Sequence, residues 1–193
     1  ANTKLKAELG ITKDDFVFVF VGRLVNDKGI KELISAFKTV QEKGKNVKLL
    51  IVGSHTKFQD ALPDSIKNEL EANTDIIQVG WQNDVRPYFA ISNIFVFPSY
   101  REGFPNTVLQ AGAMGKFSIV TDINGSNEII EDGLNGKIIP PKDTSALETA
   151  MLACLQDKKS YESYNTAYRK IIAEKYEQQI VWNALMQEYK SLT

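Results

Sequence analysis

The 193-residue chain predicts an α/β fold: an open parallel sheet of about six strands, helices on both faces and a helical tail. Three observations carry this. Short apolar runs rich in β-branched and aromatic residues recur along the chain and mostly do not alternate with polar residues, as in strands buried on both faces. Segments of helical periodicity lie between them, the alternation that builds an open sheet with right-handed crossovers. After the last run the pattern becomes wholly helical.

A polar helix-like segment (3–9) opens the chain. The first strand is FVFVFV, 16–21. The helix predicted over 28–43 places Ile30, Leu33, Ile34, Phe37 and Val40 on one stripe, and Gly44 and Asn46 stop it. The second strand is 47–52, followed by a helix near 62–72. The third strand spans 76–79, and a short helix spans 85–91. The fourth strand, 94–97, leads into a helix over 106–114 that is rich in small residues (Ala111, Gly112, Ala113) and suited to lie close to the sheet. The fifth and sixth strands are 118–121 and 137–139. Pro140 and Pro141 end the last one, and Asp143 has the character of an N-cap for a helix to 156. Helices over 160–175 and 177–192 follow, the last with Ile180, Val181, Ala184, Leu185, Tyr189 and Leu192 on one face. No repeat, low-complexity segment or linker divides the chain, which reads as one domain over 1–193.

Composition narrows the function classes. Apolar content is 43% and the formal net charge is −1, so neither a polybasic nucleic-acid surface nor a disordered acidic tail is present. No apolar run approaches the roughly 20 residues that span a bilayer. The single cysteine, Cys154, excludes an internal disulfide and lies in an apolar helical pattern, consistent with a core position and a reducing, cytoplasmic compartment. His55 is the only histidine. It has no ligand partners at metal spacing, and no Ser-His or Cys-His nucleophile pair is apparent. No metal site is expected.

The chemistry concentrates in loops at the carboxyl ends of the strands, where open α/β sheets bind ligands. The segment SYREGFPNTVLQAGAMG (99–115) sets Gly, Pro and Asn between a strand and a helix. Backbone N–H groups at such a helix start favour an anion. Glu102 supplies a carboxylate and Gln110, eight positions later, an amide. The combination suits a ligand bearing both anionic and hydroxyl groups, and a nucleotide-sugar fits. After the first strand, GRLVNDKG (22–29) offers a glycine turn with Arg23 and Lys28, which can converge on one diphosphate. The bland alternative pairs Arg23 with Asp27 and leaves Lys28 in solvent. The loop is neither G-x-G-x-x-G nor a Walker loop, and the second strand ends in Gly53-Ser-His without a ribose-binding acid. Trp81, after the third strand, can stack on a base or cap the core; the residues alone favour packing.

Taken in order, FVGRLVNDKGIKELISAF (ending at Phe37), LLIVGS (49–54), VGWQNDVRPYFAISNIFVFPS (79–99), REGFPNTVLQAGAMGKFSIVTD (101–122) and INGSNEIIEDGLNGKIIPP (123–141) resemble the carboxyl-terminal half of retaining GT-B glycosyltransferases of family four, the glycosyl transferases group 1. The EGFPN loop is most similar to enzymes of capsular polysaccharide or exopolysaccharide synthesis. The resemblance implies one Rossmann-like half of a two-domain enzyme: this half binds the nucleotide-sugar donor, and an amino-terminal acceptor-binding domain, absent from this chain, completes it. The acceptor would be a glycan or a lipid-linked oligosaccharide and the transferred group a hexose-type sugar, with UDP as the default nucleotide. The cytoplasmic face of the membrane would be reached through the missing domain. No cofactor or metal is implied, and no nucleic acid.

By the same resemblance, Arg23 and Lys28 contact the diphosphate and stabilise the leaving group, and Glu102 faces the sugar hydroxyls. These three are the candidate catalytic residues. The donor-binding set is Gly22, the loop residues Gly103, Phe104, Pro105, Asn106 and Thr107 (all but the proline through a backbone N–H), Trp81 and Gln82 at the base, and Gln110 at the ribose. Gln110 departs from the family, whose pattern has a second glutamate eight positions after the first, with seven residues between them. The final helix (177–192) would pack back toward the missing domain, and the chain alone would bind nucleotide without transferring sugar. Two alternatives stand beside this reading: a decayed nucleotide-binding module, which Gln110 favours, and half of a sugar-phosphate or glycogen-type synthase, which only the acceptor domain would distinguish.

Overall fold

The computed structural model describes residues 2–56, 60–157, 161 and 165–192. The strands are β1 (Phe16–Val21), β2 (Val47–Val52), β3 (Ile76–Gln78), β4 (Ile94–Phe97), β5 (Phe117–Thr121) and β6 (Gly136–Ile139), and the helices are α1 (Asn2–Glu8), α2 (Ile30–Lys43), α3 (Asp64–Ala72), α4 (Arg86–Ile91), α5 (Asn106–Ala113), α6 (Ser126–Ile129), α7 (Thr144–Gln156), α8 (Asn165–Tyr176) and α9 (Gln178–Ser191). The strands form one sheet in the order β3-β2-β1-β4-β5-β6. Every pairing is parallel, with Phe16 opposite Val47 and Phe18 opposite Ile94.

The continuous apolar runs have the expected cause. Every residue of β1 and β4 is buried, because α2, α3 and α7 associate on one face while α4 and α5 cover the other, joined there by α1 and α8. Phe20, Phe95 and Phe97 stack along the centre of the sheet. The chain order reverses between β1 and β4. In a parallel sheet the two crossovers leave that point in opposite directions, opening a crevice above the strand ends.

Most predicted boundaries agree within two residues. Asp143 caps α7, its carboxylate accepting from Ala146 N at 2.9 Å. Three differences have physical causes. The helix predicted from residue 28 begins at Ile30, because Gly29 adopts φ +66 and separates a 3-10 turn (Asn26–Lys28) from α2. The loop after β5 contains the short helix α6, whose first turn Glu128 stabilises by accepting from Gly125 N at 3.1 Å. In α5, Gly112 makes its close approach to Ile172 of α8 and not to the sheet. In the helix predicted over 160–175, positions 160 and 162–164 lie outside the described residues, and the described helix is α8. On α9, Ile180, Trp182, Leu185, Met186 and Tyr189 are exposed, as is Leu192 just after it. Among the described residues, no helix is long and apolar enough to cross a membrane.

Candidate functional site

The crevice between β1 and β4 brings together two loops that lie far apart in sequence. From β1 comes the turn carrying Asp27 and Lys28; from β4 comes 98–105. They lock through the backbone, Tyr100 N donating to Asp27 O at 2.7 Å. Gly29 permits the contact: a Cβ there would fall 2.1 Å from the Pro98 carbonyl oxygen.

Lys28 is buried, which overturns the reading of it as a solvated helix-start cation. Its Nζ donates to Glu102 Oε1 at 2.6 Å and lies 3.7 Å from Asp27 Oδ1. Asp27 Oδ2 accepts from Arg101 Nε at 3.1 Å, so Asp27 pairs with Arg101 and not with Arg23. Arg23 is exposed and has no ion pair among the described residues. Two cations and two carboxylates thus balance in a partly desolvated cluster, where each charge counts for more than it would in water. Tyr100, between Ser99 and Arg101, donates its hydroxyl to Glu32 Oε2 at 2.5 Å. Burial, and then the nearby Glu32 charge, push its pKa well above the usual phenol value, so it remains a donor.

Above this cluster the 103–107 loop runs into α5. Pro105 takes the N-cap position of α5 without a side-chain cap and, being proline, offers no N–H. The N–H groups of Gly103, Phe104, Asn106 and Thr107 have no hydrogen-bond partner in the described structure, leaving four donors, two of them at the N-terminal pole of the α5 dipole. The loop rests on Gly125, where φ is +78 and a Cβ would sit 2.3 Å from Gly103 O and 2.9 Å from Pro105 Cδ. Phe104 leans on Tyr176 of α8, ring centroids 5.7 Å apart, and Tyr176 anchors to Glu128 O at 2.6 Å.

Gly22, Arg23, Trp81 and Gln82 line one cavity of about 220 Å³ over the ends of β1 and β2. Trp81 is 70% exposed, so it does not cap the core and presents its indole to that cavity's mouth. Gln82 Nε2 donates to Val79 O at 2.8 Å, which orients the amide. Gln110 is separate from this group. Val108, Ala111 and Gly112 are buried, and helical phase therefore turns position 110 outward. It lines a larger cavity of about 610 Å³ between α5 and α8, beside Arg169, Ile172 and Tyr176. His55 is exposed, with Nε2 3.3 Å from Gln78 Oε1. Among the described residues no group of three or more His, Cys, Asp and Glu is placed to hold a metal ion.

The elements of the site that sequence reading left out are Ser99, Tyr100 and Glu32 as structural partners of the cluster. The available signal was positional: Ser99 and Tyr100 directly follow a fully buried strand at its carboxyl end.

What this arrangement can do is bind an anion next to a polyol: four N–H donors and two cations stand beside a carboxylate whose second oxygen carries no hydrogen bond in the described structure. A capsular polysaccharide biosynthesis glycosyltransferase of Staphylococcus aureus is 32% identical over 191 residues, covering 98% of this chain and 50% of that protein. A UDP-Gal:alpha-D-GlcNAc-diphosphoundecaprenol alpha-1,3-galactosyltransferase of Escherichia coli is 30% identical over 152 residues, 78% of this chain and 39% of that protein. This chain therefore spans half the length of these relatives or less. Among solved structures, Anabaena HepE in complex with UDP superposes with a TM-score of 0.89 at 20% identity, covering 98% of this chain and 52% of that one; a Rickettsia africae glycosyltransferase gives 0.89 at 19%, with 98% and 51%. The family described as Glycosyl transferases group 1 matches residues 1–171, a span that contains the whole sheet and every loop of the crevice, and the chain belongs to that family.

Proposed function

We propose that the chain is the donor-binding, carboxyl-terminal half of a retaining glycosyltransferase that moves a hexose-type sugar from a nucleoside diphosphate to a glycan or lipid-linked acceptor. The observation that carries this is the convergence of Lys28 and Glu102, 2.6 Å apart, beside the uncapped start of α5. A diphosphate takes Lys28, Arg23 and the loop N–H groups. Glu102, released in part from Lys28, accepts from the sugar hydroxyls. The base lies over Trp81 and Gln82; Gln110 lines the separate cavity between α5 and α8, so its proposed role at the ribose requires the nucleotide to extend from the one cavity toward the other.

During transfer, the bond between the anomeric carbon and the diphosphate oxygen breaks, and negative charge grows on the leaving nucleoside diphosphate. Lys28, Arg23 and the α5 dipole stabilise that charge electrostatically, so no metal is needed. HepE has been solved with UDP and with UDP-glucose, which supports UDP as the default nucleotide. The names of the relatives support an acceptor in capsule or related polysaccharide synthesis. Since the chain spans about half of those relatives, we assign the acceptor site to a preceding amino-terminal domain. The exposed apolar residues of α9 suit packing against it, and the chain alone then binds nucleotide without turning over.

The test is turnover in a full-length protein carrying this domain. Arg23→Ala and Lys28→Ala each lower kcat by about 10² or more; near-wild-type rates in both refute the assignment. Detectable transfer by the 193-residue chain alone refutes the division of labour. If no nucleoside diphosphate binds at millimolar concentration, the decayed-module reading replaces this one.

A further inference from the structure

Ser99 has no exposed surface, yet its hydroxyl stands among three acceptors: Glu102 Oε1 at 2.9 Å, Asp27 O at 3.2 Å and Arg101 O at 3.2 Å. A hydroxyl has one proton to give. The nearest acceptor is also the charged one, and hydrogen bonds to charged groups are the stronger. The carbonyl of Ser99 is held from the opposite side by Thr121 Oγ1, at the end of β5. The residue is thus fixed between β5 and the turn that carries Lys28, and its hydroxyl is aimed at the carboxylate that faces the crevice. Lys28 shares the same oxygen, Oε1.

Free ligand-binding geometry at Glu102 therefore depends on two partners with different fates. Lys28 is mobile in its allegiance, since an arriving diphosphate competes for its ammonium. Ser99 is not, because nothing in the crevice reaches a fully buried hydroxyl. We infer that Ser99 is the positioning residue for Glu102: it retains Oε1 when Lys28 turns to the diphosphate, so that Oε2 is presented to the hydroxyls of the transferred sugar. This rests on the proposed reading of Glu102 as the sugar-facing group, and it goes further by locating the distinction between a nucleoside diphosphate and its sugar ester in a residue that touches neither.

A serine that only completes local packing behaves differently: its loss weakens every ligand equally. The experiment is calorimetric titration of the full-length protein with UDP and with UDP-glucose, UDP-galactose and UDP-N-acetylglucosamine, the tightest of the three serving as the sugar probe. Ser99→Ala leaves UDP affinity within about twofold and weakens the UDP-sugar by about tenfold, the size expected for one hydrogen bond to a charged acceptor. Glu102→Ala shows the same selective loss, and Ser99→Ala adds nothing in the Glu102→Ala background. Ser99→Cys, which keeps the shape with a poorer donor, falls between serine and alanine and provides the same reading if the alanine variant does not fold. Equal losses for UDP and UDP-sugar, or additive losses in the double variant, overturn the role of Ser99 while leaving the donor site standing. A wild type that binds neither UDP nor any of the three sugars overturns the donor reading and this inference together.

Discussion

Gly29→Ala separates two physical terms, because the chain contains its own control. Gly29 and Gly10 have nearly the same backbone conformation, φ +66 and +65, but a Cβ at Gly10 meets nothing within 4 Å, whereas at Gly29 it lies 2.1 Å from the backbone oxygen of Pro98. Gly10→Ala pays only for placing an L side chain in the left-handed region, about 1 kcal/mol. Gly29→Ala carries that term and a steric one. The contact falls 0.9 Å short of the 3.0 Å below which Cβ contacts essentially do not occur, and a carbonyl of the chain cannot swing aside as a side chain does. The turn carrying Lys28 must therefore move away from β4. Overpacking of this kind adds about 2–3 kcal/mol, for a total of about 3–4 kcal/mol. Urea unfolding followed by far-UV circular dichroism, with m-values matched to wild type, reads both variants. In thermal melts the expected losses are about 6–16 °C for Gly29→Ala and about 2–4 °C for Gly10→Ala. The displaced turn also separates Lys28 from Glu102, so UDP-sugar binding weakens in Gly29→Ala and is unchanged in Gly10→Ala. Equal stability losses in the two variants refute the steric argument and with it the close docking of the two loops.

Other outcomes follow from the same structure. Trp81 is 70% exposed, so Trp81→Ala changes unfolding free energy by less than about 0.5 kcal/mol yet weakens UDP binding by about tenfold, as loss of a stacked base does; unchanged affinity removes Trp81 from the base site. Under the proposed role of Gln110 at the ribose, Gln110→Glu would exchange a weaker acceptor for a stronger one that also adds an anion to the site. Donor affinity in calorimetry therefore shifts by less than about tenfold, ~1.4 kcal/mol, and a larger change in either direction refutes that balance. Burial pushes the Cys154 thiol up to about 12, and a thiol held protonated is a poor nucleophile. Iodoacetamide at pH 8 should leave the folded protein unlabelled and label it once unfolded in urea. The sign of the accompanying pH effect follows from the raised pKa: the contribution of Cys154 is fully present below the unfolded value near 9 and is lost as pH rises toward about 12.

Much of the fold was legible because burial on both faces writes itself into composition. Phe16–Val21 and Ile94–Phe97 contain no polar residue, and only a covered parallel strand tolerates that in water. The helix start at residue 28 was misplaced because amphipathic periodicity continues smoothly through the 3-10 turn, while the interruption comes from one left-handed glycine whose reason, the Pro98 carbonyl, is 69 residues away in the chain. Trp81 was read toward the core since an indole is costly to expose, and local sequence does not record that a crevice opens beside it.

The sequence by itself determined the parallel α/β architecture, the loops at the carboxyl ends of the strands and the family to which the chain belongs. These depend on local periodicity, on glycine and proline placement and on ordered motifs, all of which are properties of neighbouring residues. Tertiary structure alone decided that Lys28 is paired with Glu102 across 74 positions, that Asp27 answers Arg101 and not Arg23, that Ser99 stands buried behind the carboxylate, and that Gln110 faces α8. These facts arise where strands distant in the chain become neighbours at the β1–β4 reversal, and there the partner of a charge is set by which backbones can approach closely enough to exclude water.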